Sequence, residues 1–262
     1  MKIGDTEVAT YITDPQLDIR LAPRPYLHPV RTLAGTVVTD ALCYDHPWHL
    51  GASVTLADVN GWNFWGGRTY GRDRGYTWLD DHGAIVHREW LPTRAGAGLA
   101  HALEWRDPAG GVLLGEERWL GAATAAGGWE LTFAFTLTAT RPIPLGSPAT
   151  NGRPGGAGYG GFFWRSAPGP TRVFTADAVG EERVNGSAAP WLALTGAAPY
   201  TLVFRGLAGD DRWFVRTAAY PGVCAALAFD RALVVTPDAP LTRTYRVLIA
   251  DGRLTPAQAG SG

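Results

Sequence analysis

Trp129-Glu130-Leu131-Thr132-Phe133-Ala134-Phe135-Thr136-Leu137-Thr138-Ala139-Thr140 decides the fold class. Leu131, Phe133, Phe135 and Leu137 alternate with Thr132, Ala134, Thr136 and Thr138. A period of two with apolar groups on one side is the pattern of a strand covered on one face. Upstream, Ile85–Trp90, Leu99–Arg106 and Val112–Leu120 are strand candidates separated by short turns rich in Gly, Ala or Asp-Pro. Downstream, Val173–Ala176, Trp191–Thr195, Thr201–Arg205, Val215–Thr217, Ala225–Phe229 and Thr244–Ala250 continue the series. Toward the N-terminus, Ile3–Ile12 with a Gly4-Asp5 turn inside it, Leu17–Leu21, Val37–Tyr44 and Ala52–Leu56 read as strands. No helical pattern longer than about ten residues stands out. The expectation is an all-β chain forming a large antiparallel β-sandwich. Residues 141–161 are rich in Pro and Gly, but the strand pattern is alike on both sides. They read as a rim loop, and residues 1–262 as a single domain.

Composition narrows the partners. Of 262 residues, 46% are hydrophobic and 18% charged, enough to bury a sizeable core. The 23 basic and 24 acidic residues leave a net charge of -1 with no basic run, which argues against nucleic acid as the main partner. Cys43 and Cys224 make no disulfide scaffold and read as buried thiols of a reducing compartment. The start, Met1-Lys2-Ile3-Gly4-Asp5, has no apolar signal core, and no apolar run reaches about 18 residues. The expectation is a soluble, cytoplasmic protein with no membrane partner. No nucleotide, haem or flavin fingerprint is present, so no redox cofactor is expected.

One stretch is too polar for a core segment and too aromatic for a plain loop. It runs Asp45-His46-Pro47-Trp48-His49-Leu50-Gly51, then Asp58-Val59-Asn60-Gly61-Trp62-Asn63-Phe64-Trp65-Gly66-Gly67-Arg68-Thr69-Tyr70. Rings beside directional hydrogen-bonding groups are what a pocket for a polar organic ligand needs. Upstream lies Arg24-Pro25-Tyr26-Leu27-His28-Pro29-Val30. Two prolines suit an edge strand or a pocket crossing, and extended geometry puts Arg24, Tyr26 and His28 on one side. Tyr159-Gly160-Gly161-Phe162-Phe163-Trp164-Arg165 is expected to close part of the same pocket.

Several of these segments together resemble a soluble bacterial family labelled PmoA, after a methane oxygenase subunit. They are Arg24–Val30, Asp45–Gly51, Asp58–Gly66, Tyr159–Phe162 and the closing Tyr245-Arg246-Val247-Leu248-Ile249-Ala250-Asp251-Gly252, and they span nearly the whole chain. The resemblance implies a fold similar to the galactose mutarotase-like supersandwich and companionship with sugar-modifying oxidoreductases. It implies no settled activity.

The residues themselves support three readings. In the first, an epimerase or lyase acts on a sugar or keto-sugar derivative through histidine acid–base chemistry, because imidazole serves both roles near neutral pH. His46 and His49 come first, with His28 and His82 behind them. Trp48, Trp65 and Trp62 offer platforms for sugar rings. Arg24, Tyr26, Asp45, Asp58, Asn63 and Arg68 offer hydrogen bonds to the ligand. Glu89, Glu181 and Glu182 are candidate carboxylate partners. In the second, His46 and His49 with Asp45 and a distant His28 or His82 hold a divalent metal. In the third, the aromatic wall binds carbohydrate without catalysis.

Overall fold

The alternation of Leu131, Phe133, Phe135 and Leu137 is realised in the computed structural model, which describes residues 1–93 and 98–261. All four side chains are buried on the strand Gly128–Thr138, while Thr132, Ala134, Thr136 and Thr138 keep some exposure on its other face. That strand pairs with Val112–Ala125 on one side and Leu241–Asp251 on the other. It is central to an eight-stranded antiparallel sheet. Outward from it on one side come Val112–Ala125, Leu99–Arg106 and Ala84–Trp90; on the other come Leu241–Asp251, Tyr200–Arg205, Trp191–Thr195 and Arg172–Phe174.

A second antiparallel sheet has six strands, in the order Arg212–Arg216, Gly222–Ala226, Gly160–Arg165, Ala52–Leu56, Tyr26–Val30 and Ala9–Ile12. The two sheets share one large apolar core. Phe162 of the second sheet meets Phe133 and Tyr245 of the first, at centroid distances of 4.8 and 5.4 Å. Burying each such ring contributes about 1.5–3 kcal/mol. A polar bond also joins the sheets: Arg118, paired with Glu116 of its own strand at 2.6 Å and sealed from solvent, donates from Nη1 to the Tyr11 hydroxyl of the six-stranded sheet. The architecture is thus all-β, with only the short helices Glu181–Val184 and Pro256–Gly260 beside a 3-10 turn among the described residues. No helix among the described residues is long and apolar enough to cross a membrane.

The Gly160–Arg165 strand is buried at every position, so both faces of its sheet are covered. Side chains of a strand alternate between faces. Phe162 and Trp164 enter the core between the sheets, whereas Phe163 packs in a separate cluster with Trp65, Tyr159, Phe214 and Cys224. Trp213 and Val215 face the core, and Phe214 faces the outer cluster. The outer face of this sheet therefore carries an aromatic layer of its own, and the candidate site is built there.

Four expectations about elements need correction. Leu17–Leu21 is not a strand: Asp18 accepts a hydrogen bond from the Arg20 amide and starts the 3-10 turn Ile19–Leu21. Val37–Tyr44 forms only isolated bridges. The Asp40 carboxylate there accepts from the Ala41 amide and the Cys43 thiol, and Leu42 has a positive φ. Such local bonds compete with a ladder. Tyr26–Val30 is an interior strand, with Ala9–Ile12 outside it. Pro29 is tolerated because the pairing toward Ala52–Leu56 is confined to Leu27 and Ala52. Residues 141–161 include a short strand, Ile143–Gly146, that pairs with Leu233–Val235 and Asp58–Val59. Cys43 and Cys224 are free, buried thiols.

Candidate functional site

A cavity of about 470 Å³ opens on the outer face of the six-stranded sheet. Trp48, Trp65, Trp78, Tyr159 and Tyr220 supply its rings, His46 and His49 its imidazoles, and Arg68, Arg153 and Arg216 its cations. Its volume falls within the usual range for small-molecule sites, about 300–1,000 Å³.

The wall depends on two glycines. Gly66 and Gly67 have φ of 96° and 72°, a region L side chains rarely adopt. A Cβ on Gly67 would lie 2.6 Å from Trp48 Cε2, and one on Gly66 would lie 2.5 Å from Trp48 Cβ. The bare backbone lets the Trp48 indole lie flat against the loop. Asn63 fixes that loop from within: its Oδ1 accepts from the Trp65 and Gly66 amides at 2.8 and 2.9 Å, and its Nδ2 donates to Thr69.

His46 and His49 stack with centroids 4.6 Å apart and planes 8° from parallel. Pro47 and the His49 amide bond to the His46 carbonyl close the turn that brings them together. Their hydrogen bonds fix different tautomers. His46 Nδ1 lies 2.8 Å from Asp45 Oδ2, so it carries the proton and donates to the carboxylate. Arg165 Nη1 lies 3.3 Å from His49 Nδ1, and because a guanidinium only donates, that nitrogen accepts. In neutral His49 the ring proton therefore sits on Nε2. The same Arg165 grips Asp45 with both Nη atoms, at 3.1 and 2.9 Å. A continuous chain, His46–Asp45–Arg165–His49, thus presents, when both rings are neutral, one imidazole with a bare Nε2 and one with a protonated Nε2 to a single cavity.

Electrostatics sharpen the difference. His49 is 1% exposed, and burial, with the neighbouring His46, Arg165 and Arg24, holds its pKa well below the usual 6.5. It is neutral at physiological pH. Burial pushes the Asp45 carboxyl upward, but the hydrogen bonds from His46 and Arg165 outweigh it and hold the carboxyl below 3.8. Tyr159 and Tyr220 are raised by burial, Tyr220 beyond the usual phenol range, and both remain protonated donors.

Of the residues expected from the sequence, His46, Trp48, His49, Trp65 and Arg68 line the cavity and Asp45 stands directly behind it. The others lie elsewhere. Arg24 is fully buried beneath the wall, where it donates to the Trp48 carbonyl at 2.9 Å, the Ala22 carbonyl and Ser53. It props the wall and touches no ligand space. Tyr26 is buried in the sheet, and His28 bonds Thr39 at 3.0 Å. His82 donates from Nε2 to the Gly67 carbonyl at 2.6 Å, steadying the loop under Trp48. Asn63 serves the loop, as described. Trp62 packs against the main core, and Asp58 closes a turn through the Gly61 amide. Glu89 is exposed on Ala84–Trp90, Glu182 is exposed, and Glu181 holds the Thr217 and Ala218 amides behind the cavity. His101 is fully buried and bonded on both nitrogens, to Tyr11 and His87, as a structural histidine should be.

Arg165, Tyr220, Trp78, Arg153 and Arg216 were not singled out from the sequence, although Arg165 ends a segment expected at the pocket. The signal was there: Phe163 and Arg165 share one face of a strand whose other face, Phe162 and Trp164, is already apolar. As metal ligands, His46 and His49 offer only their Nε2 atoms, with the Arg165 cation adjacent. No group of three His, Cys, Asp or Glu side chains suited to a metal occurs among the described residues.

No curated protein matches the chain in sequence. Among solved structures, a candidate aldose 1-epimerase from Escherichia coli K12 aligns over 63% of this chain and 69% of its own, with a TM-score of 0.34 and 11% identity. The GH36 α-galactosidase AgaA from Geobacillus stearothermophilus aligns over 83% of this chain and 32% of its own, with a TM-score of 0.31 and 13% identity. Neither these two structures nor the matching family description carries the PmoA label suggested by the sequence segments. Residues 1–261 match the family of unknown function DUF6807, and the chain belongs to that family.

Proposed function

We propose that this protein is a carbohydrate-active enzyme of epimerase or lyase type that works by histidine acid–base chemistry. The observation that carries the reading is the stacked pair of imidazoles, held in opposite tautomers, at an aromatic cavity. Indole faces suit the C–H faces of a sugar ring, and Trp48 and Trp65 supply them. His46, backed by the Asp45 carboxylate, is the base: its unprotonated Nε2 takes a proton from a carbon next to a carbonyl or from an anomeric hydroxyl. The Asp45 contact stabilises the imidazolium that results. His49 is the donor: its neutral Nε2–H hydrogen-bonds the oxygen on which charge develops. A neutral imidazole can do this, because its N–H remains a donor to the developing charge when burial keeps the ring uncharged.

The test is a panel of aldoses, ketoses and their acidic derivatives incubated with the protein in heavy water. Proton NMR follows exchange at carbon and the interconversion of anomers or epimers. His46→Ala and His49→Ala are expected to lower the rate by about 10²–10⁴-fold, with unchanged circular dichroism. Wild-type rates in both variants overturn the assignment. Binding without turnover by the wild-type protein leaves a carbohydrate-binding role instead. Stoichiometric metal that depends on both histidines would move them from acid–base groups to ligands.

A further inference from the structure

The cavity is cationic. Arg68, Arg153 and Arg216 line it, and no Asp or Glu does. Asp45, the nearest carboxylate behind the imidazoles, is taken by Arg165. Arg153 donates to the Tyr76 hydroxyl at 2.6 Å and lies over that ring, which spends part of its donor fork and none of its charge. Arg216 sits 3.7 Å from Glu181 Oε1, donates to the Val215 and Gly156 carbonyls and lies over the Phe214 ring, so it adds positive charge to the wall with few donors left over. Arg68 is exposed and makes no hydrogen bond or ion pair among the described residues. The chain as a whole has a net charge of -1, so this concentration of positive charge is local. A neutral sugar would leave the Arg68 guanidinium and the spare donors of Arg153 unanswered. A carboxylate or phosphate would meet their planar, forked donors in the geometry they favour.

We propose that the ligand is an acidic sugar derivative, its oxyanion held at the Arg68–Arg153–Arg216 rim and its ring set against the indoles beside His46 and His49. The inference rests on the proposed carbohydrate site and adds the charge of its ligand. Uronates or aldonates and sugar phosphates share this chemistry.

The experiment measures binding by calorimetry on His46→Ala protein, which prevents turnover. The probes are galacturonate, glucuronate, glucose 6-phosphate, galactose and glucose. At least one acid is expected to bind about tenfold or more tightly than its neutral counterpart, with the advantage shrinking as salt rises. Arg68→Gln, at a side chain with no hydrogen bond or ion pair of its own among the described residues, is expected to remove most of that advantage, with a smaller loss of neutral-sugar affinity. A preference for the phosphate ester over the uronates supports the oxyanion and assigns it as phosphate. Equal affinity for acids and neutral sugars overturns the proposal, as does an Arg68→Gln loss that is equal for both, or no binding of any acid. His46-dependent turnover of a neutral sugar by the wild-type enzyme would overturn this inference and leave the acid–base reading intact. Tight acid binding without turnover would do the reverse.

Discussion

Burial removes the charge of His49, and it does the same to two other histidines. His101 is pushed down to about 3 by burial, with Arg118 and His87 adding to the effect, and His28 is lowered chiefly by burial. In the unfolded chain all three titrate near 6.5. Below that pH the unfolded state binds more protons than the folded state, so stability is present above 6.5 and lost as pH falls. Each such histidine steepens the loss by up to about 1.4 kcal/mol per pH unit. Asp45 has the depressed carboxylate's behaviour and loses its contribution only as pH drops below about 4. The expected outcome is a urea midpoint that falls between pH 7 and pH 5, above the range in which the Asp45 contribution is lost. A flat midpoint over that interval would contradict the placement of these rings. At this scale the sequence shows His46, His49, Trp48, Trp65, Asp45 and Arg68 as neighbours because one stretch carries them. It does not show that Arg24, His82 and Asn63 turn inward to serve backbone groups. Residue type is the same whether a guanidinium meets a ligand or a carbonyl.

Elements place those residues, and Arg24 shows how. It lies just before Tyr26–Val30 and joins the Leu21–Ala22 turn to the carbonyls of Trp48 and Trp65, which belong to distant loops. Replacing it with methionine leaves buried carbonyls without donors. The expected cost is about 2–4 kcal/mol in denaturant unfolding, with ligand binding weakened because the Trp48 wall loosens. Arg24→Lys should fall between, since one ammonium cannot reach all of its partners. A methionine variant as stable as wild type would show that the wall stands without it. The strands themselves were the more legible part. Leu99–Arg106 and Ala52–Leu56 have the bounds the pattern gives, because alternation and flanking turns are local signals. Val37–Tyr44 misled because its β-forming residues are interrupted by side chains that bond their own backbone, as Asp40 does.

At the scale of the whole molecule, one apolar core runs from Val8 to Ile249 and draws on both large sheets. We therefore expect residues 1–262 to unfold as one cooperative unit. Circular dichroism of the sheets and tryptophan emission from core and cavity should give coincident denaturation curves. Two separated transitions would divide the chain into independent parts. The sandwich class could be read from Leu131–Leu137 because it is a repeating pattern, whereas the cavity draws on loops far apart in the chain and no period announces it. The Gly160–Arg165 strand joins the two: Phe162 and Trp164 pack the core, while Phe163 and Arg165 serve the outer face. Fold and chemistry are thus written on alternate letters of the same word. A lineage, or a designer, can revise Phe163, which packs beneath His49 and Trp65, to shift the cavity wall while the inward letters keep the sandwich folded.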